Sequence, residues 1–387
     1  MTEEINILTE EAVVLLKEMV AIPSPSFDES EVCSHLCKWM SAKGIAHERV
    51  GNNIIASTHG GNSTALTIML CAHIDTVSPC EGYGFDPYNP DYSKAAEILS
   101  TGIGQELTAE DFIAGLGSND DGASAVSMIS VFRHLSQKEL KDLNIVLVLS
   151  CEEERSGKNG MTGLWGTRLC GRGENPGGCI EIDHAIVGEP TCMKAAISER
   201  GLLVIDATAH GVSGHAARNE GKNALYIALD DISRLRTHEF SRLSPTMGKV
   251  GLNVTQINAG TAHNVIPDRC SFVIDIRPTE RYANEELLAE LQNICESHLE
   301  PRNLSNRSSA AKEGSQLVMT AEAMGIETFS SPTTSDWMRI SCDAIKMGPG
   351  NSNRSHRKNE FVLVSEIKEA IKTYIDFINH YHEHTLE

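Results

Sequence analysis

The sequence predicts an α/β fold, with a mostly parallel sheet carrying helices on both faces and an inserted α+β domain. Apolar or β-rich runs alternate with helical runs towards both ends of the chain, and this alternation is typical of a parallel sheet covered on both faces. The middle of the chain has a compact β-α-β-β-α pattern of its own. The length of 387 residues also favours two domains over one.

The elements of the first part follow from apolar spacing and from helix-breaking prolines. Helices are predicted at 10–20 and 30–43, the first ending before Pro23. The next elements are strands at 53–58, 65–70 and 144–150 and a helix at 123–135. In an open sheet of this kind, ligands bind beyond the carboxyl ends of the strands.

The middle of the chain predicts an inserted domain at 198–303, which leaves 1–197 and 304–387 as the two parts of the main domain. Its elements are strands at 202–209, 253–257 and 269–276 and helices at 223–234 and 284–299. Residues 303–314 are expected to be a polar return linker, or alternatively to contain a strand. Sheet and helix character resumes at 321–324, 344–346 and 363–380.

Composition excludes several classes of protein. Lysine and arginine number 33 against 53 aspartate and glutamate, a net charge of −20, which opposes binding to nucleic acid and to anionic membranes. Eleven scattered cysteines without a Cys-x-x-Cys pair indicate neither disulfides nor a thiolate zinc site. With no signal peptide and no apolar run of about 20 residues, we expect a soluble cytoplasmic protein.

The strand that ends at His73 presents a candidate metal ligand. Asp75 lies two residues further on, on the same face, where its carboxylate is expected to accept the second N–H of the imidazole. A histidine in an ordinary turn is the alternative. Asp120 lies in a glycine-rich turn before the helix at 123–135, where it is either a ligand or a helix cap.

Acidic residues follow two further apolar strands. Glu152, Glu153 and Glu154 come directly after the strand at 144–150, and adjacent carboxylates of this kind favour a bound cation over a solvated face. Glu189 follows a shorter apolar run, and His356 follows a glycine-rich turn. An ordinary turn and an exposed histidine are the alternatives for these two.

One combination of these residues suits two zinc-class ions bridged by one carboxylate. It consists of His73, Asp120, Glu154, Glu189 and His356. In the order of these motifs and in the local sequence around them, the chain resembles the co-catalytic zinc deacylase family. This family contains acetylornithine deacetylase, succinyl-diaminopimelate desuccinylase, aminoacylase and related carboxypeptidases. The motifs run from residue 73 to residue 360.

The resemblance implies a role for each site residue. His73, Asp120 and Glu189 would hold one metal ion, and Asp120, Glu154 and His356 the other, with Asp75 behind His73. Glu153 would be the general base, which takes a proton from the attacking water and passes it to the leaving amine. Glu152 as base with Glu153 as ligand is the alternative register, which the position of Gly160-Met161 disfavours.

The resemblance also implies that the inserted domain is a lid that forms a homodimer. His215 would stabilise the oxyanion in the active site of a second copy. Asn264 and Arg277 would hold the substrate carboxylate, although Arg277 could instead pair with Asp275. Zinc is the expected metal, with cobalt or manganese also compatible.

The predicted function is removal of an acetyl or succinyl group from the α-nitrogen of an amino acid, with an ornithine- or citrulline-type intermediate of arginine biosynthesis as substrate. Succinyl-diaminopimelate desuccinylase and dipeptidase are the alternatives on the same fold. Ala72 and the Asp121-Gly122 pair depart from the family pattern and leave the subfamily open. A catalytically silent binding protein and a cysteine hydrolase using Cys71 or Cys151 are more distant alternatives.

Overall fold

The chain forms two compact units, one made of Met1–Ile197, Ala311–Phe329 and Ser335–Glu387 and the other of Ser198–Ala310 and Ser330–Thr334. The computed structural model describes residues 2–58, 65–138, 140–218 and 220–385. Within that part of the chain the helices are α1 (Thr2–Val20), α2 (Ser30–Ala42), α3 (Tyr92–Ile103), α4 (Ala123–Ser136), α5 (Met161–Leu164), α6 (Ala224–Thr237), α7 (Asn284–Ile294), α8 (Gln316–Ala323) and α9 (Val364–Thr385). The strands are β1 (Glu48–Val50), β2 (Asn53–Ser57), β3 (Leu66–His73), β4 (Phe112–Ala114), β5 (Leu143–Ser150), β6 (Leu169–Gly171), β7 (Ile180–Ile182), β8 (His184–Val187), β9 (Ala195–Glu199), β10 (Leu203–His210), β11 (Gly214–His215), β12 (Gly251–Ala259), β13 (Val265–Ile266), β14 (Arg269–Arg277), β15 (His298–Pro301), β16 (Ser309–Ala310), β17 (Thr328–Ser331), β18 (Asp343–Lys346) and β19 (Phe361–Leu363).

The main sheet of the first unit confirms the predicted α/β class. Within this unit its strands follow the order β1-β2-β5-β3-β8-β18-β9. The strands from β5 to β18 run parallel, whereas β1 and β2 at one side and β9 at the other add antiparallel pairs. The sheet is therefore mostly parallel, and the carboxyl ends of its central strands share one edge.

Both faces of this sheet are covered, as the uninterrupted apolar run of β5 predicts. Leu147 and its alternate neighbours belong to the core cluster packed against α1, α4 and α9, whereas Val146 and Val148 belong to the cluster on the opposite face with α5. Every residue of β5 is buried. Burial on both faces removes the polar alternation that marks a half-exposed strand.

The second unit is built on an antiparallel sheet of order β12-β14-β10-β15. Its core lies between this sheet and helix α6, which contacts β10, β12 and β14. The predicted helix at 284–299 is wrong in its last part. Helix α7 ends at Ile294, because the buried carboxylate of Asp231 accepts the main-chain N–H groups of Glu296 and Ser297, and the chain continues as β15 beside β10.

Two further segments differ from the main sequence predictions. The expected linker at 303–314 contains β16, which pairs with β9, so the alternative that it holds a strand is the correct one. Helix α3 was not predicted. It begins at an Asp91 cap and buries Ala95 and Leu99 in a small apolar cluster with Phe112. Among the described residues, no helix has both the length and the apolar character that a membrane crossing requires.

Candidate metal centre

His73 is the last residue of β3 and is buried at the carboxyl edge of the main sheet. Its Nε2 atom lies 3.2 Å from Oδ1 of Asp120. Its Nδ1 atom lies 2.9 Å from the main-chain carbonyl oxygen of Asp75. Burial disfavours the imidazolium form, but the hydrogen bonds to Asp120 and Asp75 outweigh this and raise the pKa of His73 well above its ordinary value.

Asp75 contacts the imidazole of His73 through its main-chain carbonyl and through its carboxylate. Its carbonyl makes the shorter contact with His73, while its carboxylate oxygen Oδ1 lies 3.4 Å from the imidazole. The carboxylate accepts the main-chain N–H groups of Glu153 at 3.0 Å and Glu154 at 3.1 Å and the hydroxyl of Ser26 at 2.7 Å. Asp75 therefore stands behind His73 and also holds the turn that carries the two glutamates.

Asp120 lies between two imidazoles. One of its carboxylate oxygens faces Nε2 of His73 at 3.2 Å, and the other faces Nε2 of His356 at 3.6 Å. The carboxylate does not cap helix α4, whose first residue follows Gly122 without a side-chain cap. Burial opposes ionisation of Asp120, but the hydrogen bond with His73 outweighs it and keeps the pKa of this carboxyl below its ordinary value.

The three consecutive glutamates after β5 point in different directions. Glu152 has a left-handed backbone conformation (φ 59°), and its carboxylate accepts N–H groups from the main chain and the side chain of Asn159 at 3.0 and 2.6 Å. Glu154 instead lies 2.9 Å from Nε2 of His356. Oxygen or nitrogen atoms of Glu153, His73 and Glu189 lie within 4.8 Å of one another. Glu153 and Glu154 thus both lie among the predicted site residues, whereas the carboxylate of Glu152 is bonded to Asn159.

The remaining two predicted ligands complete the cluster. Glu189 follows β8 at the same edge of the sheet. Burial raises the pKa of both Glu153 and Glu189 well above the ordinary value. His356 has φ 57° and a side chain that is 54% exposed, and its contact with Glu154 raises the pKa of the imidazole to about 9.

The donor set fits divalent cations of the zinc class. His73, Asp120 and Glu154 form a second group whose ligand atoms lie within 4.8 Å of one another. The carboxylates of the cluster outnumber its two imidazoles, and burial raises the pKa of Glu153 and Glu189, whose ionised forms a bound cation would favour. Nitrogen and oxygen ligands in this proportion suit zinc, cobalt or manganese.

Two buried carboxylates close to the cluster were not predicted from the sequence. Glu360 accepts the main-chain N–H groups of Asn119 and Asp120 at 2.9 and 3.0 Å, and burial raises its pKa to about 8. Asp336 accepts the hydroxyl of Ser150 at 2.5 Å, beside the end of β5. Their position beside ligand-bearing turns is a tertiary property, and their spacing in sequence gave no signal of it.

The residues predicted in the inserted domain lie in the second unit. β11 pairs with β13, and the carbonyl of Asn264 accepts the N–H of Ala216, so His215 and Asn264 occupy adjacent, exposed positions. Arg277 pairs with Asp275 through Nε at 2.8 Å and Nη2 at 3.1 Å. The alternative left open for Arg277 is thus the arrangement that the structure contains.

Comparison with known proteins finds similarity to metallopeptidases and to a desuccinylase. Residues 197–303 match the family model described as a peptidase dimerisation domain, and residues 53–184 match that of peptidase family M28. A succinyl-diaminopimelate desuccinylase of Corynebacterium glutamicum is 26% identical over 94% of this chain and 95% of its own length. A dinuclear metal-binding peptidase from the M20 family of Bacillus subtilis superposes with a TM-score of 0.68 at 14% identity, covering 97% of this chain and 98% of that one. The chain is therefore similar to M20 peptidases, in sequence at the dimerisation domain and in fold along nearly its whole length.

This chain is a metal-dependent hydrolase of amide bonds, the class that these similar proteins share. A probable carboxypeptidase of Arthroderma gypseum is a further relative, 25% identical over 95% of this chain and 84% of its own length. Relatives with both names align along nearly the whole of this chain. Neither relative is similar enough to transfer its substrate.

Proposed function

We propose that the protein removes an acetyl or succinyl group from the α-nitrogen of an amino acid, with an ornithine- or citrulline-type intermediate of arginine biosynthesis as substrate. The observation that carries the proposal is the cluster of two imidazoles and three carboxylates around Asp120, with Glu153 beside it. A cytoplasmic location is part of the proposal and is supported by the eleven cysteines, all of which are free.

Two divalent cations would be held at this cluster, with zinc as the proposed metal. His73, Asp120 and Glu189 would bind one ion, and Asp120, Glu154 and His356 the other. When bound, such ions supply a Lewis acid and make water more acidic. Glu153 takes the proton of the attacking water and gives it to the leaving amine, a role that suits a buried carboxyl with a raised pKa.

The second unit would provide substrate contacts and the dimer interface. His215 is proposed to stabilise the oxyanion in the active site of a second copy of the chain. Asn264 and Arg277 are proposed to bind the substrate carboxylate, which would replace Asp275 as partner of Arg277. A homodimer is supported by the match to a peptidase dimerisation domain. It is also supported by the edge position of β12, where Ile257 is 49% exposed.

Succinyl-diaminopimelate desuccinylase is the second candidate. The relative of that name, which aligns with nearly the whole chain, favours it. A peptidase activity is supported in the same way by the probable carboxypeptidase. All three activities use the same metal-dependent attack on an amide and differ in the groups on each side of the bond.

A substrate panel tests the proposal. Acetyl-ornithine, succinyl-ornithine, acetyl-citrulline, succinyl-diaminopimelate and simple dipeptides are compared by the amine that each releases, measured with ninhydrin. The Glu153→Gln variant, purified in the same way, controls for contaminating hydrolases. Preference for an acyl-ornithine or acyl-citrulline supports the proposal. Preference for succinyl-diaminopimelate or a dipeptide would replace it with the corresponding alternative.

A further inference from the structure

Glu360 joins two ligand-bearing segments that are far apart in the sequence. Its side chain is 2% exposed. Oxygen Oε1 accepts the main-chain N–H groups of Asn119 at 2.9 Å and Asp120 at 3.0 Å, and the carbonyl of Glu360 accepts the N–H of Gly115 at 2.9 Å. Glu360 is thus bonded to the Asp120 turn through both its main chain and its side chain.

The turn that carries His356 is held independently of this carboxylate. Strand β19, which follows Glu360, pairs with β4. Asn359, at φ 61°, accepts the N–H of Gly84 through Oδ1 at 2.6 Å. Since these contacts already fix the path of the chain, the carboxylate of Glu360 contributes mainly to the placement of the Asp120 main chain.

That placement decides whether Asp120 can serve two cations. Its two oxygens face the two imidazoles at 3.2 and 3.6 Å. A small shift or rotation of the main chain at Asp120 would move one oxygen away from its histidine. His73 is buried at the end of a central parallel strand, so its position is fixed by the sheet. His356 lies on an exposed turn and is not fixed in this way.

We propose that Glu360 is a positioning residue that keeps Asp120 in register with the His356 turn, so that Asp120 can be shared by two cations. The proposal rests on the two-cation centre proposed above. Loss of the carboxylate affects the cation held by Asp120, Glu154 and His356 more than the one held by His73, Asp120 and Glu189. Both sites share Asp120, but the first depends on His356, which lies on an exposed turn, whereas the second keeps His73 at the end of β3.

Stepwise binding of Zn²⁺ to metal-free protein tests this, in competition with a chromophoric chelator. The variants are Glu360→Ala and Glu360→Gln, with Glu369→Ala on the exposed side of α9 as control. For Glu360→Ala we expect first-ion affinity close to wild type and second-ion affinity at least about tenfold weaker, the loss typical of groups that orient metal ligands. Glu360→Gln keeps an amide oxygen that can accept both N–H groups, and it should bind both ions like wild type.

Each other outcome would overturn the proposal in a recognisable way. Wild-type affinity for both ions in Glu360→Ala would show that Asp120 needs no such support. Equal weakening of both ions would show a general structural role. Fewer than two ions bound by wild type would overturn the two-cation centre itself. If Glu360→Ala does not fold, Glu360→Asp, with a side chain one methylene shorter, takes its place with the same expected selective loss.

Discussion

Replacing Asp75 by asparagine is expected to lower the free energy of unfolding of the metal-free first unit by about 1–3 kcal/mol, the cost of one buried N–H group without a partner. The buried carboxylate of Asp75 accepts the N–H groups of Glu153 and Glu154 and the hydroxyl of Ser26. An asparagine has only one accepting oxygen, so its NH₂ group must face one of the two main-chain N–H groups. The hydroxyl of Ser26 can rotate and accept instead.

Alanine at position 75 removes both acceptors. Two buried N–H groups then lose their partners, so the expected loss is about 2–6 kcal/mol. The free energy of unfolding should therefore fall in the order wild type, asparagine, alanine, because each step removes one main-chain hydrogen bond of the turn. The differences in this free energy between the variants report how many of these bonds each variant keeps.

Urea denaturation followed by tryptophan fluorescence measures the stability of the first structural unit, which contains Asp75. The chain has three tryptophans, Trp39, Trp165 and Trp337, and all lie in the first unit. Metal is removed with a chelator beforehand, because a bound ion would add its own binding free energy to stability. The midpoint and slope of the transition give the free energy of unfolding.

Two results would refute this reasoning about Asp75. If asparagine and alanine were equally destabilising, the turn would not depend on the number of accepted N–H groups. If asparagine left the metal-free protein as stable as wild type and lowered only metal affinity, the main role of Asp75 would be to orient His73. Ser26→Ala is the matched control, because it removes the hydroxyl and leaves both N–H bonds of Asp75 in place.

Three further predictions concern activity and assembly. Glu153→Gln should abolish turnover while metal content stays near normal. Glu152→Gln, measured in parallel, should retain turnover because the carboxylate of Glu152 is bonded to Asn159. An inactive Glu152→Gln beside an active Glu153→Gln would reverse the two roles. A chelator should remove the amide-hydrolysing activity, and added Zn²⁺ or Co²⁺ should restore it. Thiol alkylation should leave the activity intact. The opposite pattern would favour a cysteine hydrolase. Ile257→Glu, on the edge strand β12 at 49% exposure, should shift the proposed homodimer towards monomer in light scattering, whereas the control Val14→Glu on α1 should not. An unchanged dimer would exclude the β12 edge from the interface.

The sequence predicted the main sheet well because the physics that forms it is local. A run such as 144–150 is apolar throughout, and burial on both faces of a parallel sheet requires this. The prediction failed at 284–299, where apolar spacing continued past the true helix end. The carboxylate that ends α7 belongs to Asp231, more than fifty residues earlier in the chain, so no local pattern contains it.

The candidate ligands could be found from the sequence for a related reason. The carboxyl ends of parallel strands meet at one edge, and His73 and Glu189 lie at or just beyond such ends. The contacts that orient the ligands could not be found in this way. The carboxylate of Asp75 also accepts a main-chain N–H group of the glutamate turn, while its carbonyl makes the shorter contact with His73. Both contacts depend on how the turn after β5 folds back.

The structure separates the acidic residues of this region by what their oxygens contact. The carboxylate oxygens of Glu152 and Glu360 accept N–H groups of the protein itself, and at Glu360 they do so although burial raises its pKa. Glu153 and Glu189 face His73 instead and have pKa values raised by burial. Carboxyls of the second kind stabilise the fold only when a proton or a cation reaches them. The excess of acid at this edge of the sheet is therefore best explained as a frame of N–H-bonded carboxylates around an inner set available to metal and substrate.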